Sequence, residues 1–142
     1  SWVDRTMEGF DVVATVPLSL GPDPVAAADP VRNFAALYLG GMGSRKRNFY
    51  LQQAARMGFQ EQARQVQELF LGKQYSAAAA AVPYDFIDQT ALLGDAARLS
   101  ERMQEFAEAG VTTLAIMPMG RTLEDRITDI RTAAEVAERA GL

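Results

Sequence analysis

The 142-residue sequence contains no cysteine and no histidine. The absence of cysteine excludes disulfides, thiolate nucleophiles and cysteine-ligated metal sites. The absence of histidine removes the commonest general base and the commonest transition-metal ligand. An enzyme of this composition must use carboxylate, lysine, arginine or tyrosine side chains, backbone groups or a cofactor. The residues alone therefore predict no metal site and identify no catalytic side chain.

Other features that the sequence lacks restrict the possible partners and the location of the protein. Asp and Glu together number 18 against 14 Lys and Arg, which gives a net charge of −4, whereas general nucleic-acid binders are usually basic. No apolar run approaches the roughly 20 residues that span a bilayer. No basic segment followed by an apolar one opens the sequence. We therefore expect a cytoplasmic protein that binds neither nucleic acid nor a membrane.

The clearest pattern that is present lies near the end of the sequence, where strand, helix and strand follow one another. The apolar run Thr90–Gly94 ends at a glycine, and Asp95 stands where a helix N-cap is expected. Leu99 and Met103 then recur at helical spacing. Val111–Pro118 is apolar without alternation, which is typical of a parallel strand covered on both faces. These segments predict a βαβ unit.

An earlier strand and a long helical stretch complete the predicted architecture. Phe10–Leu20 is rich in β-branched residues and is expected to be a strand. Residues 24–89 have mostly helical patterns and are far longer than one crossover between strands needs, so they predict a helical insertion. The whole inventory is three strands and about six helices. The residues expected on the buried face of the final helix are Ile127, Ile130, Ala134 and Ala137.

Charge is segregated between residues 30 and 60, where there is no Asp or Glu but there are five basic residues. Gly40–Gly43 breaks a helix, and Arg45, Lys46 and Arg47 follow it. Guanidinium groups and backbone N–H groups in such a loop could bind an anion. A solvated connection between two helices is the commoner reason for this pattern, and both interpretations stay open. The run GGMG matches neither the dinucleotide fingerprint nor the P-loop.

The segment YLGGMGSRKRNFY (Tyr38–Tyr50), after a strand ending in VPLSL and an alanine-rich helix, resembles the luciferase-like monooxygenase superfamily. More narrowly, it is similar to the branch of coenzyme F420 (deazaflavin)-dependent oxidoreductases, whose members carry Tyr-x-Gly-Gly-Met-Gly followed by Asn-Phe-Tyr. The resemblance extends over most of residues 10–118. The matching residues are Tyr38, Gly40–Gly43, Asn48–Tyr50, Gly58-Phe59, Val82-Pro83, Leu92–Gly94 and Ala109–Thr112.

The resemblance implies an α/β fold of the (β/α)8 or TIM-barrel type, of which this sequence matches the C-terminal portion. The three strands would then be the last three of eight. A complete barrel needs about 250 residues, so residues 1–142 are expected to be a single partial domain with a helical insertion at about 24–89. Its open sheet edges need pairing or covering. We therefore expect a homo-oligomer or association with the missing half of the barrel.

The resemblance also implies that the complete enzyme transfers hydride between its cofactor and a small organic substrate. The cofactor is expected to be F420, or alternatively FMN, with which the enzyme would be a monooxygenase. The fragment alone is expected to be inactive. The residues predicted to contact the cofactor are Ser19 and Gly94 at the strand ends and Gly41, Gly43, Arg45 and Arg47 in the insertion. Two alternatives remain: a non-catalytic helical module for binding or oligomerisation, and a small anion-binding domain built on residues 40–47.

Overall fold

The computed structural model describes residues 8–44 and 47–142. The strands are β1 (Val13–Leu20), β2 (Leu92–Gly94) and β3 (Thr113–Pro118). In these ranges the helices are α1 (Pro24–Ala27), α2 (Asp29–Gly41), α3 (Phe49–Arg56), α4 (Gln60–Leu71), α5 (Tyr75–Ala81), α6 (Tyr84–Thr90), α7 (Ala96–Glu108) and α8 (Leu123–Ala140). None of them is both long enough and apolar enough to cross a bilayer. The predicted α/β class with three parallel strands is confirmed.

The described ranges hold eight helices rather than about six, for two local reasons. The helical segment that follows β1 is divided, because Asp29 and Pro30 begin α2 directly after α1, and proline favours the first turn of a new helix. In addition, Tyr84–Thr90 at the end of the predicted helical insertion forms a separate helix, α6. Pro83 precedes this helix in an extended conformation, and its ring ends α5 without preventing the start of α6.

The strand order in the sheet is β2-β1-β3, with all pairs parallel. β1 pairs with β3 along Val13–Leu18 and with β2 only along Leu18–Leu20. In a barrel each strand lies beside the next one in sequence, so an arc made of its last three strands would have β2 at its centre. β1 lies there instead. It is the longest of the three strands, and its backbone groups are satisfied by β2 along one edge and by β3 along the other.

Helices cover the sheet on both faces, so the chain forms three layers. Residues Val16 and Leu18 of β1 belong to the core beneath α7 and α8, together with Leu92. The next residue of β2, Leu93, belongs to a second core that is built mainly from α1 to α6. This alternation follows from the two-residue period of a strand, which sends neighbouring side chains to opposite faces. The helices between β1 and β2 therefore have a core of their own on one face of the sheet.

The predicted buried face of α8 is wrong for most of its residues. Ile127 is 46% exposed and Ile130 is 51% exposed, Ala134 is also exposed, and only Ala137 packs against the core. The sequence pattern contains two apolar stripes on this helix, and periodicity alone does not tell which one faces the sheet. The side chains that are buried instead are Asp129, Ala133 and Val136.

Candidate functional site

The carboxyl ends of β1 and β2 meet at one edge of the sheet and bring Ser19 and Gly94 together. Ser19 is buried and lies opposite Leu93, and Leu20 lies opposite Gly94. The edge is closed by a hydrogen bond of 3.0 Å that the Gly21 N–H donates to the carbonyl of Gly94. Ligands of open α/β sheets commonly bind at this end of the strands. These two predicted residues therefore lie on neighbouring strands at the edge where a ligand is expected.

Ionic pairs occupy the surroundings of this edge. The Arg98 guanidinium donates to both carboxylate oxygens of Asp88, at 2.7 and 2.8 Å, which ties α7 to α6. Burial lowers the pKa of Arg98, but the hydrogen bond and charge of Asp88 outweigh it and raise that pKa overall. Arg102 makes a single ionic contact with Glu105, three residues further along α7. An anion at this position would compete with carboxylates already bound, so these arginines do not form a ready anion site.

The basic turn at residues 43–47, between α2 and α3, is held by close backbone contacts between its two ends. Gly43 has φ +123°, and a Cβ at this position would lie 2.5 Å from the carbonyl oxygen of Arg47. The Arg47 N–H donates to the Ser44 carbonyl at 3.0 Å, and the Arg47 side chain is exposed. Arg45, which was also predicted to contact the cofactor, lies outside the described residues. Arg47 is thus exposed at the end of this turn, and only glycine fits at position 43.

Other residues of the motif fix the two helices that flank this turn. A Cβ on Gly41 would lie 2.7 Å from a ring carbon of Phe70. Asn48 is 1% exposed, and its Nδ2 donates to the carbonyls of Tyr38 at 3.2 Å and Leu39 at 2.7 Å. Its Oδ1 accepts from the Leu51 N–H at 3.1 Å and caps α3. Packing and capping therefore account for this glycine and this asparagine without a ligand.

A cleft of about 710 Å³ lies between the sheet and helices α2, α3 and α6, within the usual size of ligand pockets. Its floor consists of Val13, Thr15 and Pro17 from β1 and Met117 from β3. Of the predicted cofactor residues that the structure describes, Ser19, Gly41, Gly43, Arg47 and Gly94, none lines it. The described side chains of the walls are Val31, Phe34, Ala35, Tyr38, Leu39, Phe49, Tyr50, Gln53, Met57, Phe86 and Thr90.

Aromatic rings form one continuous wall of this cleft. The ring centroids of Phe34 and Tyr38 lie 4.4 Å apart, those of Tyr38 and Tyr50 4.6 Å, and those of Phe49 and Tyr50 5.5 Å. The last two pairs are edge-to-face, the geometry that aromatic rings prefer. No charged side chain lines the cleft in the part of the chain that the structure describes. Sequence reasoning missed this site, although Tyr38 and Tyr50 are the first and last residues of the segment that carried the resemblance.

Comparison with known proteins gives two results. Residues 2–113 match the family described as luciferase-like monooxygenase. The sequence is also 31% identical over 112 residues to a Mycobacterium tuberculosis protein with the provisional name coenzyme F420-dependent oxidoreductase. The alignment covers 79% of this chain but 32% of that protein. The chain thus spans less than a third of the length of its relative.

Proposed function

The chain belongs to the luciferase-like monooxygenase family, and on that premise we propose that it is the C-terminal part of an oxidoreductase dependent on F420 or FMN. The observation that carries the proposal is the 31% identity, over 79% of the chain, to a protein named for F420-dependent oxidoreduction. The corresponding complete enzyme would transfer hydride to or from a small organic substrate. F420 is the first choice of cofactor because the relative is named for it.

The uncharged aromatic cleft supports this assignment. Deazaflavins and flavins carry a flat fused ring, and such rings bind well between aromatic and aliphatic side chains. The wall formed by Phe34, Tyr38 and Tyr50, together with a floor that includes Met117, fits a ring of this kind. When bound, the cofactor supplies the capacity for hydride transfer. The residues of the chain would hold the ring flat and exclude water from one side of it.

The anionic tail of the cofactor needs donors at the edge of the cleft. We assign this role to the turn at residues 43–47, because Arg47 is exposed there and the cleft residues Tyr38 and Tyr50 flank the turn in sequence. Gly41 and Gly43 would act by shaping the turn, and Ser19 and Gly94 would support the strand ends without contacting the ring. Arginine suits this task because its fork of N–H donors matches phosphate and carboxylate oxygens.

The proposed partner is the remainder of a barrel, either from a longer chain or from a separate one. β2 and β3 each pair with a neighbour along one edge only within the described sheet. Unpaired strand edges readily accept another strand. Since the relative is more than three times as long as the aligned segment, a segment from the remaining part of such a protein would pair with these edges. Hydride transfer is proposed for that assembly and not for this chain alone.

Cofactor titration tests the proposal directly. Fluorescence of F420 and of FMN should change saturably when the folded chain is added. Arg47→Ala should weaken that binding by about tenfold, the usual loss for one charge-assisted contact. Arg56→Ala is the matched control, since Arg56 is also an exposed arginine but lies at the end of α3 away from this turn. A folded chain that binds neither cofactor would overturn the proposal, and a stable oligomer without cofactor uptake would favour the non-catalytic helical module.

A further inference from the structure

We propose that the cleft between the sheet and helices α2, α3 and α6 selects an uncharged, planar and largely apolar organic molecule. The identification of this molecule as the substrate of hydride transfer rests on the proposed function, in which the substrate would share the cleft of about 710 Å³ with the cofactor ring and contact the side of that ring that the chain leaves open. Its binding in the cleft rests only on the side chains that the structure brings together. The proposal therefore deepens the functional assignment by giving the chemical class of the substrate.

The first argument concerns charge. Every described side chain that lines the cleft is neutral, and ten of the fifteen are aliphatic, aromatic or thioether groups other than tyrosine. A carboxylate, phosphate or ammonium group placed there would lose hydration without gaining a counterion. Burying an ionised group without a partner costs far more free energy than the apolar contacts in a cleft of this size can contribute to binding. Charged substrates are therefore disfavoured by the lining itself.

The second argument concerns shape. The Tyr38 ring is flanked by Phe34 at 4.4 Å and by Tyr50 at 4.6 Å, so the wall is a series of rings that hold each other in place. Rings fixed in this way lose little conformational entropy when a ligand stacks on them. On the opposite side the floor offers Pro17 and Met117, and methionine adapts to the edge of a flat ring. A planar molecule can contact the aromatic wall and the floor at the same time.

The third argument concerns polar groups. The lining includes two tyrosines, two threonines and Gln53, all of which are neutral hydrogen-bonding groups. The Thr90 hydroxyl already donates to the Phe86 carbonyl at 2.8 Å, so it can only accept from a ligand. A small number of neutral polar groups in an apolar cleft orients a ligand without requiring charge. A hydroxyl or carbonyl on an otherwise apolar ring satisfies this arrangement.

A dye titration tests the charge selectivity without any cofactor. Prodan, a neutral naphthalene ketone, should bind saturably and shift its emission to shorter wavelength in the apolar cleft. The neutral ketone 2-acetylnaphthalene should displace it, whereas naphthalene-2-sulfonate, which has the same ring and a negative charge, should compete at least tenfold more weakly. Equal competition by the two compounds, or no saturable uptake of Prodan, would overturn the proposal.

Variants locate the binding. Thr15 is exposed on the floor of the cleft, so Thr15→Phe should fill the space without removing a core contact and should weaken Prodan binding at least tenfold. Val25→Phe adds the same ring to an exposed helical position outside the lining and should leave binding unchanged. Unchanged binding in Thr15→Phe would place the dye elsewhere and would show the proposal to be wrong.

A second pair of variants covers the case in which Thr15→Phe does not fold. Tyr50→Leu removes a ring of the wall and should weaken Prodan binding by about threefold to tenfold. Tyr75→Leu removes a ring that packs on Phe70 at 4.9 Å and does not line the cleft, so it should not change binding. Equal effects of the two substitutions would contradict the assignment of the site.

Three further results separate this inference from the proposed function and from coverage of the cleft by protein. Prodan binding without uptake of F420 or FMN would refute the proposed function and leave the binding site standing. Cofactor uptake without discrimination between the ketone and the sulfonate would refute the inference alone. If Thr15→Phe abolishes self-association in sedimentation experiments but not dye uptake, the cleft is covered by protein and the inference fails.

Discussion

Asp129 is a carboxylate buried on α8, and its oxygen accepts a hydrogen bond from the Gly120 N–H at 3.1 Å. Burial raises the pKa of Asp129 above its ordinary value of 3.8, and the bond from Gly120 only partly opposes this. The folded state therefore binds a proton more readily than the unfolded state. The contribution of this group to stability is complete below about pH 3.8 and is lost as the pH rises through the folded pKa.

We expect Asp129→Asn to be at least as stable as the wild type at pH 7, because the amide oxygen still accepts from Gly120 and carries no charge. The dependence of stability on pH above 3.8 should become shallower. Asp129→Leu should cost about 1 to 3 kcal/mol, since the Gly120 N–H loses its partner. Urea unfolding at several pH values measures these effects. An asparagine variant less stable than the wild type at pH 7 would contradict the argument.

Asn48 is a second buried polar residue whose bonds are all within the chain. We expect Asn48→Ala to lower the free energy of unfolding by about 1 to 3 kcal/mol, because two carbonyls at the end of α2 and one N–H of α3 lose their partner. Asn33→Ala, at an exposed position of α2, is the control and should change stability by less than about 0.5 kcal/mol. Equal losses in urea unfolding would refute a special role of Asn48.

At the scale of elements, α2 and α4 approach each other closely because of Gly40. A Cβ at this position would lie 2.4 Å from the Cβ of Phe70. Gly40→Ala should therefore destabilise the chain by about 1 to 3 kcal/mol through overpacking, although alanine favours helices. Gly21→Ala is the control, since the nearest atom there is 3.8 Å away. Thermal unfolding distinguishes the two variants, and a stabilised Gly40→Ala would show that the helices separate easily.

At the scale of the whole molecule, strand order is the feature most open to test. The sequence has no cysteine, so a disulfide can form only between two cysteines that are introduced by mutation. Thr15 and Ala115 are partners across β1 and β3, so Thr15→Cys with Ala115→Cys should form a disulfide on mild oxidation, because neighbouring strands hold Cα atoms within bridging distance. Leu93→Cys with Ala115→Cys should not. Crosslinking of the second pair alone would place β2 in the centre of the sheet.

The exposed apolar stripe of α8 is expected to mediate self-association of the chain. Leu123 is 75% exposed and lies on this stripe with Ile127 and Ile130. We expect self-association at high concentration, and Ile127→Glu with Ile130→Glu should reduce it by at least tenfold in sedimentation experiments, because a charged stripe does not bury well. Val25→Glu, at an exposed position on α1, should have no effect. A monomer at every concentration would contradict this expectation.

The local elements were predictable because their causes are local. Asp95 caps α7 through a 3.0 Å bond to the Arg98 N–H, and Thr122 caps α8 with Asp125 in a reciprocal arrangement, both as the sequence indicates. The parallel strands were predictable from their apolar runs. The start of a second helix at Asp29-Pro30 was also indicated by the sequence, whereas α6 was not assigned as a helix of its own. Pro83 signalled a boundary there but did not specify whether a helix or an extended segment lies beyond it.

The sequence by itself determined the α/β class, the family and most helix ends, since capping, period and motif are properties of neighbouring residues. Only the tertiary structure decided the strand order, the buried stripe of α8 and the aromatic cleft. These depend on which surfaces meet, and residues as distant as Thr15 and Phe86 come together in the cleft only through packing. The pattern of residues along the chain shows which face of a helix or strand is apolar. Which other surface covers that face depends on all the apolar surfaces that must be buried together.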